Sequence, residues 1–435
     1  MSTKIMAFLM LALLSGTVMA AELRESVTIT WLCWGGPEVI DRNQRIVEAF
    51  YRRYPDLGVK VKSTVLGWDD YVRKLPVMIA SGAELDVIAV EGTYMFPSLA
   101  AGGALADLSV LASKYRDEFF PGSLDSLTRD GKVLGIPMMG WESAPALFIV
   151  YNKDLFDQAG VAYPSYEWTW DHFIELGKKL TRGDPGREKW AMDWGQSDFF
   201  WYWYNLIHAF GGWVYNADHT ASEVNSKEAV AAITLLNDFR VKYKISTYWG
   251  DWDAFDQGRS AMTARWDTEA QKMLERGKAR LGVAIFPAGP AGNGFHIYTR
   301  RAASGAAHSL ALFKGSKHPN EALRFIDFLV SDPEALRAEG TNWPWVPLRR
   351  NIPVFLNIVK DSTSWMQVFR AITEVHKRIL LVDRAEGFGP DAADTQRIMA
   401  ENLRRFYSGE VSAQGALDTA KKQIDAVLSR QRLGK

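Results

Sequence analysis

Cysteine is almost absent from this chain. The single thiol, Cys33, rules out an internal disulfide framework, and its apolar setting, Trp31-Leu32-Cys33-Trp34, marks it as a small buried hydrophobe. Charge of one sign is missing too. Lys and Arg total 51 and Asp and Glu total 51, which leaves no broad electrostatic reason to bind nucleic acid or anionic lipid. No stretch of some twenty apolar residues follows the N-terminus, so no later segment reads as a membrane span. The 7 histidines form neither H-E-x-x-H nor an i, i+4 pair, and no G-x-S-x-G occurs, which removes the usual zinc-protease and serine-hydrolase signatures. GPAGNG at 289–294 lacks the Lys-Ser/Thr pair of a phosphate loop. GFGPDA at 387–392 meets the dinucleotide glycine spacing only formally, because no strand precedes it and Pro390 spoils the turn. There is no internal repeat and no low-complexity linker, which argues against two separate beads and for interwoven lobes.

What is present begins with an export address. Lys4 supplies a positive start, residues 5–14 are uncharged, and Val18-Met19-Ala20 is a small-residue cleavage pattern. Residues 1–20 therefore read as a secretory signal peptide cut after Ala20, with no cysteine there for a lipid anchor. The mature chain of about 415 residues exceeds what one core holds, so two domains or lobes are expected. The 17 tryptophans exceed what two ordinary cores need. A flat apolar face with one N–H donor suits the C–H face and hydroxyl edge of a sugar, so the excess hints at carbohydrate.

Periodicity gives a β-α-β-α-β start. VTITWLC at 27–33 is a buried strand, 38–53 has helical spacing, and Val59, Val61 and Val65 lie in a second strand. Asp69 or Asp70 is the expected N-cap of a helix through Met78, and LDVIAV at 85–90 is a third strand. That order predicts a parallel sheet in an α/β lobe. Further on, Thr169 is the expected N-cap of a helix to Leu180, 281–286 and 309–313 are strands, and 319–330 is an amphipathic helix. Asp332-Pro333 opens another helix, and 396–428 carries one long helical periodicity.

Several segments, taken together and in order, resemble the family of bacterial extracellular solute-binding proteins that includes maltodextrin-binding protein. They are VTITWLCWGG at 27–36, VEAFYRRYPDLGVKV at 47–61, KLPVMIASGAELDVIAV at 74–90, GGALADL at 102–108 and DGKVLGIP at 130–137. YNKDLFDQAGV at 151–161 with WTWDHFIELGKKLT at 168–181 is the most specific stretch. FDQGRSAM at 255–262, FPAGPAG at 286–292 and HPNEALRFIDFLVSDPEA at 318–335 complete the series. Leu85 stands where the family usually has proline, and Leu134 where it has an aromatic. The resemblance implies two α/β lobes on a hinge, made of 22–137 plus 300–345 and 138–299 plus 346–435, closing on ligand. It implies a periplasmic protein, a monomer without a cofactor, that hands a sugar or oligosaccharide to ABC transporter permease subunits. A polyol, glycerophosphodiester, polyamine or iron chelate in the same fold stays open, as do a chemotaxis adaptor and a secreted glycosidase using two carboxylates.

Sugar binding needs aromatics to stack and planar polar groups to take hydroxyls, and each bond contributes only about 1–1.5 kcal/mol. In an open α/β sheet both should come from the carboxyl ends of strands. Trp34, Gly35 and Gly36 follow the first strand, Trp68 and Asp69 the second, and Glu91 and Gly92 the third. Trp141 and Glu142 sit at the first crossing that the resemblance implies, and Ser304 and Gly305 at the second. Trp343, Trp345 and Arg349 lie near a third. In the other lobe the candidates are Trp201 with Tyr202 and Tyr204 in FFWYWYN, Trp213 after Gly211-Gly212, and Trp266 with Asp267. Most of FFWYWYN should be core. Arg265, Arg300, Arg301 and Arg349 could serve an anionic ligand.

Overall fold

Alternating β-branched and helical runs build the elements in the expected order. The computed structural model describes residues 26–92, 95–119, 123–138, 147–183, 189–194, 200–247, 251, 253–277, 279–290, 297–299, 308–340, 348–377, 380–382 and 391–433. The chain starts with β1 (Val27–Trp34), α1 (Pro37–Arg53), β2 (Val59–Leu66), α2 (Trp68–Ala80) and β3 (Val87–Val90). Then come α3 (Met95–Ala101), α4 (Ser109–Ser113), β4 (Thr128–Arg129), β5 (Lys132–Val133) and β6 (Ile136–Pro137). The middle holds β7 (Leu147–Asn152), α5 (Lys153–Ala159), α6 (Trp170–Leu180), β8 (Trp190–Asp193), α7 (Phe200–Ala209), α8 (Lys227–Val241), β9 (Ser260–Trp266), α9 (Asp267–Arg276) and β10 (Leu281–Ala284). The rest is β11 (Ile297–Thr299), β12 (Ser309–Leu312), α10 (Pro319–Ser331), α11 (Pro333–Glu339), α12 (Ile352–Val359), α13 (Thr363–Lys377), β13 (Leu380–Val382), α14 (Ala392–Tyr407) and α15 (Ala413–Leu433).

The strands form two main sheets. The first has the order β2-β1-β3-β12-β6 and the second β10-β7-β9-β8; β11 pairs in parallel with β13. β1 runs parallel to β2 and to β3, so Trp34 lies beside Leu66 and all three strands end at one edge. β12 enters antiparallel, with Ser309 opposite both Val90 and Pro137, so its amino end meets that same edge. In the second sheet β8 is parallel to β9, and β7 is antiparallel with Leu147 opposite Trp266.

Each sheet has its own core. Trp31 on β1 is fully buried, with Phe325 of α10 edge-on at 5.2 Å, and Phe50 of α1 meets Phe325 at 5.1 Å. Around the second sheet Trp170, Phe173, Trp194 and Phe239 pack together, Trp194 stacked on Phe239 at 5.8 Å. A third cluster joins Phe148 and Val150 of β7 to Phe355, Trp365 and Ile372. α11 is shared: Ala335 packs in the first core, whereas the next residue, Leu336, packs in the third cluster. Arg45 of α1 ties its end down by donating to the carbonyls of Ala338 (2.9 Å) and Glu339 (3.1 Å).

Local signals performed unevenly. Thr169 caps α6 as expected, in a capping box with His172. Neither Asp69 nor Asp70 caps α2. The helix begins at Trp68, at least two residues sooner, behind Gly67, and both acids fall in its first turn, where carboxylates complement the helix dipole. The single helix expected over 396–428 is two, α14 and α15, because Gly409 takes a left-handed φ of 81° just after α14 and ends it.

α14 is anchored at its start by a buried carboxylate. Asp391 accepts from Tyr215 Oη at 2.8 Å and pairs with His219 Nε2 at 3.2 Å. Burial pushes the Asp391 carboxyl up, but the hydrogen bond and charge of His219 and the bond from Tyr215 outweigh it and hold it below its ordinary value. A lowered carboxyl stabilises the fold above the ordinary carboxylate range and loses that contribution as pH falls through its folded value. Asp391→Asn should therefore lower the melting temperature near neutral pH, and the gap to the parent should shrink as the pH falls below the ordinary carboxylate range. A gap that stays constant with pH would assign the loss to packing instead.

Candidate functional site

The carboxyl edge of the first sheet gathers an aromatic group around one ring. Trp34 ends β1, and its indole meets Trp68 at 5.4 Å, Tyr71 at 5.3 Å and His308 at 5.3 Å, all edge-on. Trp34 is 9% exposed, whereas Trp68, the first residue of α2, is 38% exposed and offers a face to solvent. Tyr71 is locked behind them, its phenol donating to the Ala89 carbonyl. Gly35 makes the tight exit from β1 possible. Its φ is 150°, and a Cβ there would lie 2.3 Å from Val39 Cγ2.

Glu91 follows β3 and is buried, and its Oε2 accepts from the Met95 amide at 3.4 Å. The adjacent Gly92 amide donates to His308 Nδ1 at 3.4 Å. Burial pushes the His308 imidazole below its ordinary value against the opposing pull of the Glu91 carboxylate. Asp69 is exposed on the first turn of α2.

The matching edge of the second sheet carries a buried ion pair. Arg265, one residue before the end of β9, has Nη2 3.9 Å from Asp193 Oδ2 at the end of β8, and both residues are buried. Arg265 Nη1 also donates to the Ala264 carbonyl at 2.9 Å, and Asp193 Oδ2 accepts from the Phe255 amide at 3.3 Å. Burial pushes the nearby Tyr202 phenol up; Arg265 opposes this, while Asp193 and Glu269 add to it. Trp266 ends β9 and Asp267 opens α9 at this edge, and Trp201 lies on α7. Tyr202, Trp203 and Tyr204 are buried, as expected for most of that cluster. Trp213 is half-buried after Gly211-Gly212, its ring 5.2 Å from His208, whose Nδ1 lies 3.0 Å from the Gly212 carbonyl.

The other candidates fall elsewhere. Trp141, Glu142, Ser304, Gly305, Trp343 and Trp345 lie outside the described residues. Arg349 is exposed and donates to the Asp117 carbonyl, and its neighbour Arg350 pairs with Glu118 at 3.1 Å. His308 was not singled out from the sequence. Only the antiparallel entry of β12 carries it to this edge, and sheet register is not written in the residues around it. Among the described residues no group of three His, Cys, Asp or Glu could hold a metal ion. No helix among them is long and apolar enough to cross a membrane.

The two halves also touch through charge. Lys272 of α9 lies 3.7 Å from Glu38 in the first turn of α1, both about half exposed. An exposed pair of this kind contributes about 0–1 kcal/mol and is screened by salt. Glu38→Gln should lower stability by less than about 1 kcal/mol at low salt, an effect absent at high salt, as thermal denaturation would read. A larger, salt-insensitive change would contradict a surface pair. Trp34→Ala should cost about 3–5 kcal/mol of stability, as a truncated core ring does. Trp68→Ala should cost about 1 kcal/mol or less, the scale of one aromatic contact. Thermal denaturation separates the two.

Two sheets with separate cores, each ending in an aromatic and polar edge, define a protein that binds a solute between lobes. Residues 38–335 match the model of the bacterial extracellular solute-binding protein family, and the chain belongs to that family. A putative binding protein of Brucella abortus is 24% identical over 395 residues, covering 89% of this chain and 90% of its own. A mannitol-binding protein of Pseudomonas aeruginosa is 31% identical over 148 residues, 34% of this chain and 32% of its own. Among solved structures, an ABC substrate-binding protein of Listeria monocytogenes in complex with cycloalternan superposes with a TM-score of 0.76 at 21% identity. It covers 93% of this chain and 99% of its own.

Proposed function

We propose that this chain is the periplasmic binding component of an ABC importer, taking a neutral sugar or polyol between its lobes and delivering it to the permease. The observation that carries this is the group of Trp34, Trp68, Glu91 and His308 at one sheet's carboxyl edge. It supplies an exposed indole for a C–H face beside donors and acceptors for hydroxyls. The names of relatives support the class, since one is a mannitol-binding protein and another structure holds cycloalternan.

Charge balance favours a neutral ligand over an anion. Arg265, the cation nearest the second edge, already faces Asp193. The carboxylates are likewise engaged in structure, Glu91 at the start of α3 and Asp193 on the Phe255 amide, which supports reversible binding rather than glycoside hydrolysis. Residues 1–20 serve as the export signal, the lobes divide at 22–137 plus 300–345 and 138–299 plus 346–435, and the mature protein acts as a monomer. Trp141, Glu142, Trp201, Trp213, Trp266, Asp267, Ser304, Gly305, Trp343 and Arg349 remain the proposed further contacts.

A thermal-shift screen of the mature protein against D-mannitol, D-tagatose, maltotriose, spermidine and glycerophosphocholine tests the reading. A ligand at 100 times its Kd stabilises by about 2.7 kcal/mol, a clear rise in melting temperature. A shift with a neutral compound alone is expected. A shift only with spermidine or glycerophosphocholine would overturn the ligand class, and consumption of a glycoside would overturn the binding role.

A further inference from the structure

We infer that His308 is a specificity-determining ligand contact, which selects an oxygen acceptor in the solute by donating Nε2–H from a tautomer set by the Gly92 backbone. The inference rests on the proposed binding of a neutral solute at this edge. Three constraints hold the ring. The Met138 amide donates to the His308 carbonyl at 2.8 Å, and the next residue, Ser309, pairs with both Val90 and Pro137. The residue is thus held between the ends of β3 and β6. Trp34 then meets the imidazole edge-on, 84° between planes, which sets the ring's orientation. The Gly92 amide points its hydrogen at Nδ1.

That last contact decides the chemistry. An amide donor facing Nδ1 requires a lone pair there, so the proton of the neutral ring sits on Nε2. Nε2 makes no hydrogen bond to any described residue, and the side chain is half-buried rather than sealed. A donor fixed in direction, on a ring that packs against the same Trp34 as the partly exposed Trp68, is suited to a hydroxyl or ring oxygen. An ammonium group has only donors, so it finds no partner in this atom. The site would accept a polyol or sugar and reject an amine at the same position.

The same geometry gives a sign to the pH dependence. Among the described residues Glu91, just after β3, is the titratable group whose charge reaches the ring; β1 contributes the uncharged Trp34, and behind it Tyr71 of α2 is held neutral by burial. Bound ligand covers the ring further and disfavours the imidazolium, while protonating Nδ1 would set two donors against each other at Gly92. Affinity should therefore fall as pH drops below the free ring's pKa, by at most about tenfold per pH unit for one linked proton.

Calorimetric titration of the mature protein with D-mannitol and maltotriose, from pH 8 to pH 5, tests this. We expect His308→Ala to weaken binding about tenfold, the scale of one hydrogen bond, with little change in melting temperature. His308→Gln, which keeps an N–H donor, should recover part of the loss and flatten the pH profile. Parent-like affinity in a folded His308→Ala variant would overturn the role of His308 and leave the binding reading intact. Should His308→Ala fail to fold, the parent's profile decides: no loss of affinity toward pH 5 overturns the inference. Failure of the parent protein to bind either neutral probe would overturn the reading beneath it.

Discussion

Three parallel strands cannot end without delivering their next residues to the same edge. The candidate site in the first half of this protein follows from that constraint. β1, β2 and β3 release Gly35, Gly67 and Glu91 side by side, and at Gly35 the turn requires glycine, because its φ is 150° and a Cβ would strike Val39. β12 then enters the sheet in the opposite sense, so a residue from more than two hundred positions later lands beside the first three loops. The second sheet repeats the arrangement with fewer parallel strands, and Asp193 and Trp266 mark its corresponding edge.

Two buried carboxylates at these edges are matched within the fold. Asp193 faces Arg265, and Glu91 caps the turn into α3. Burying an unmatched charge costs several kcal/mol, so such pairing is what allows ionisable groups to sit next to large apolar rings at all. At the second edge the two charges cancel, whereas at the first Glu91 is matched by an uncharged amide.

Much of the architecture was legible in the residues. The β-α-β-α-β opening, the capping of α6 by Thr169 and the Asp332-Pro333 helix start all appear as read, because periodicity and capping are local. The tryptophan excess was the less reliable clue. Trp31, Trp168, Trp170, Trp194, Trp203 and Trp365 are core residues, so most of the rings that could be located serve packing. A ring's chemistry is the same in a core and in a cleft, and only tertiary contacts tell them apart. The N-cap of α2 and the break before α15 were missed for a related reason: a competing glycine outranked the nearby side-chain signals. His308 depended on register, which no window of neighbouring residues encodes.

One short helix has a mechanical consequence. α11 sends Ala335 into the first core and Leu336 into the third cluster, which backs β7 of the second sheet, while Arg45 clamps its last carbonyls to α1. Close-packed cores have low compressibility and transmit strain. A change of packing in either cluster is therefore passed to the other through a single turn of α11.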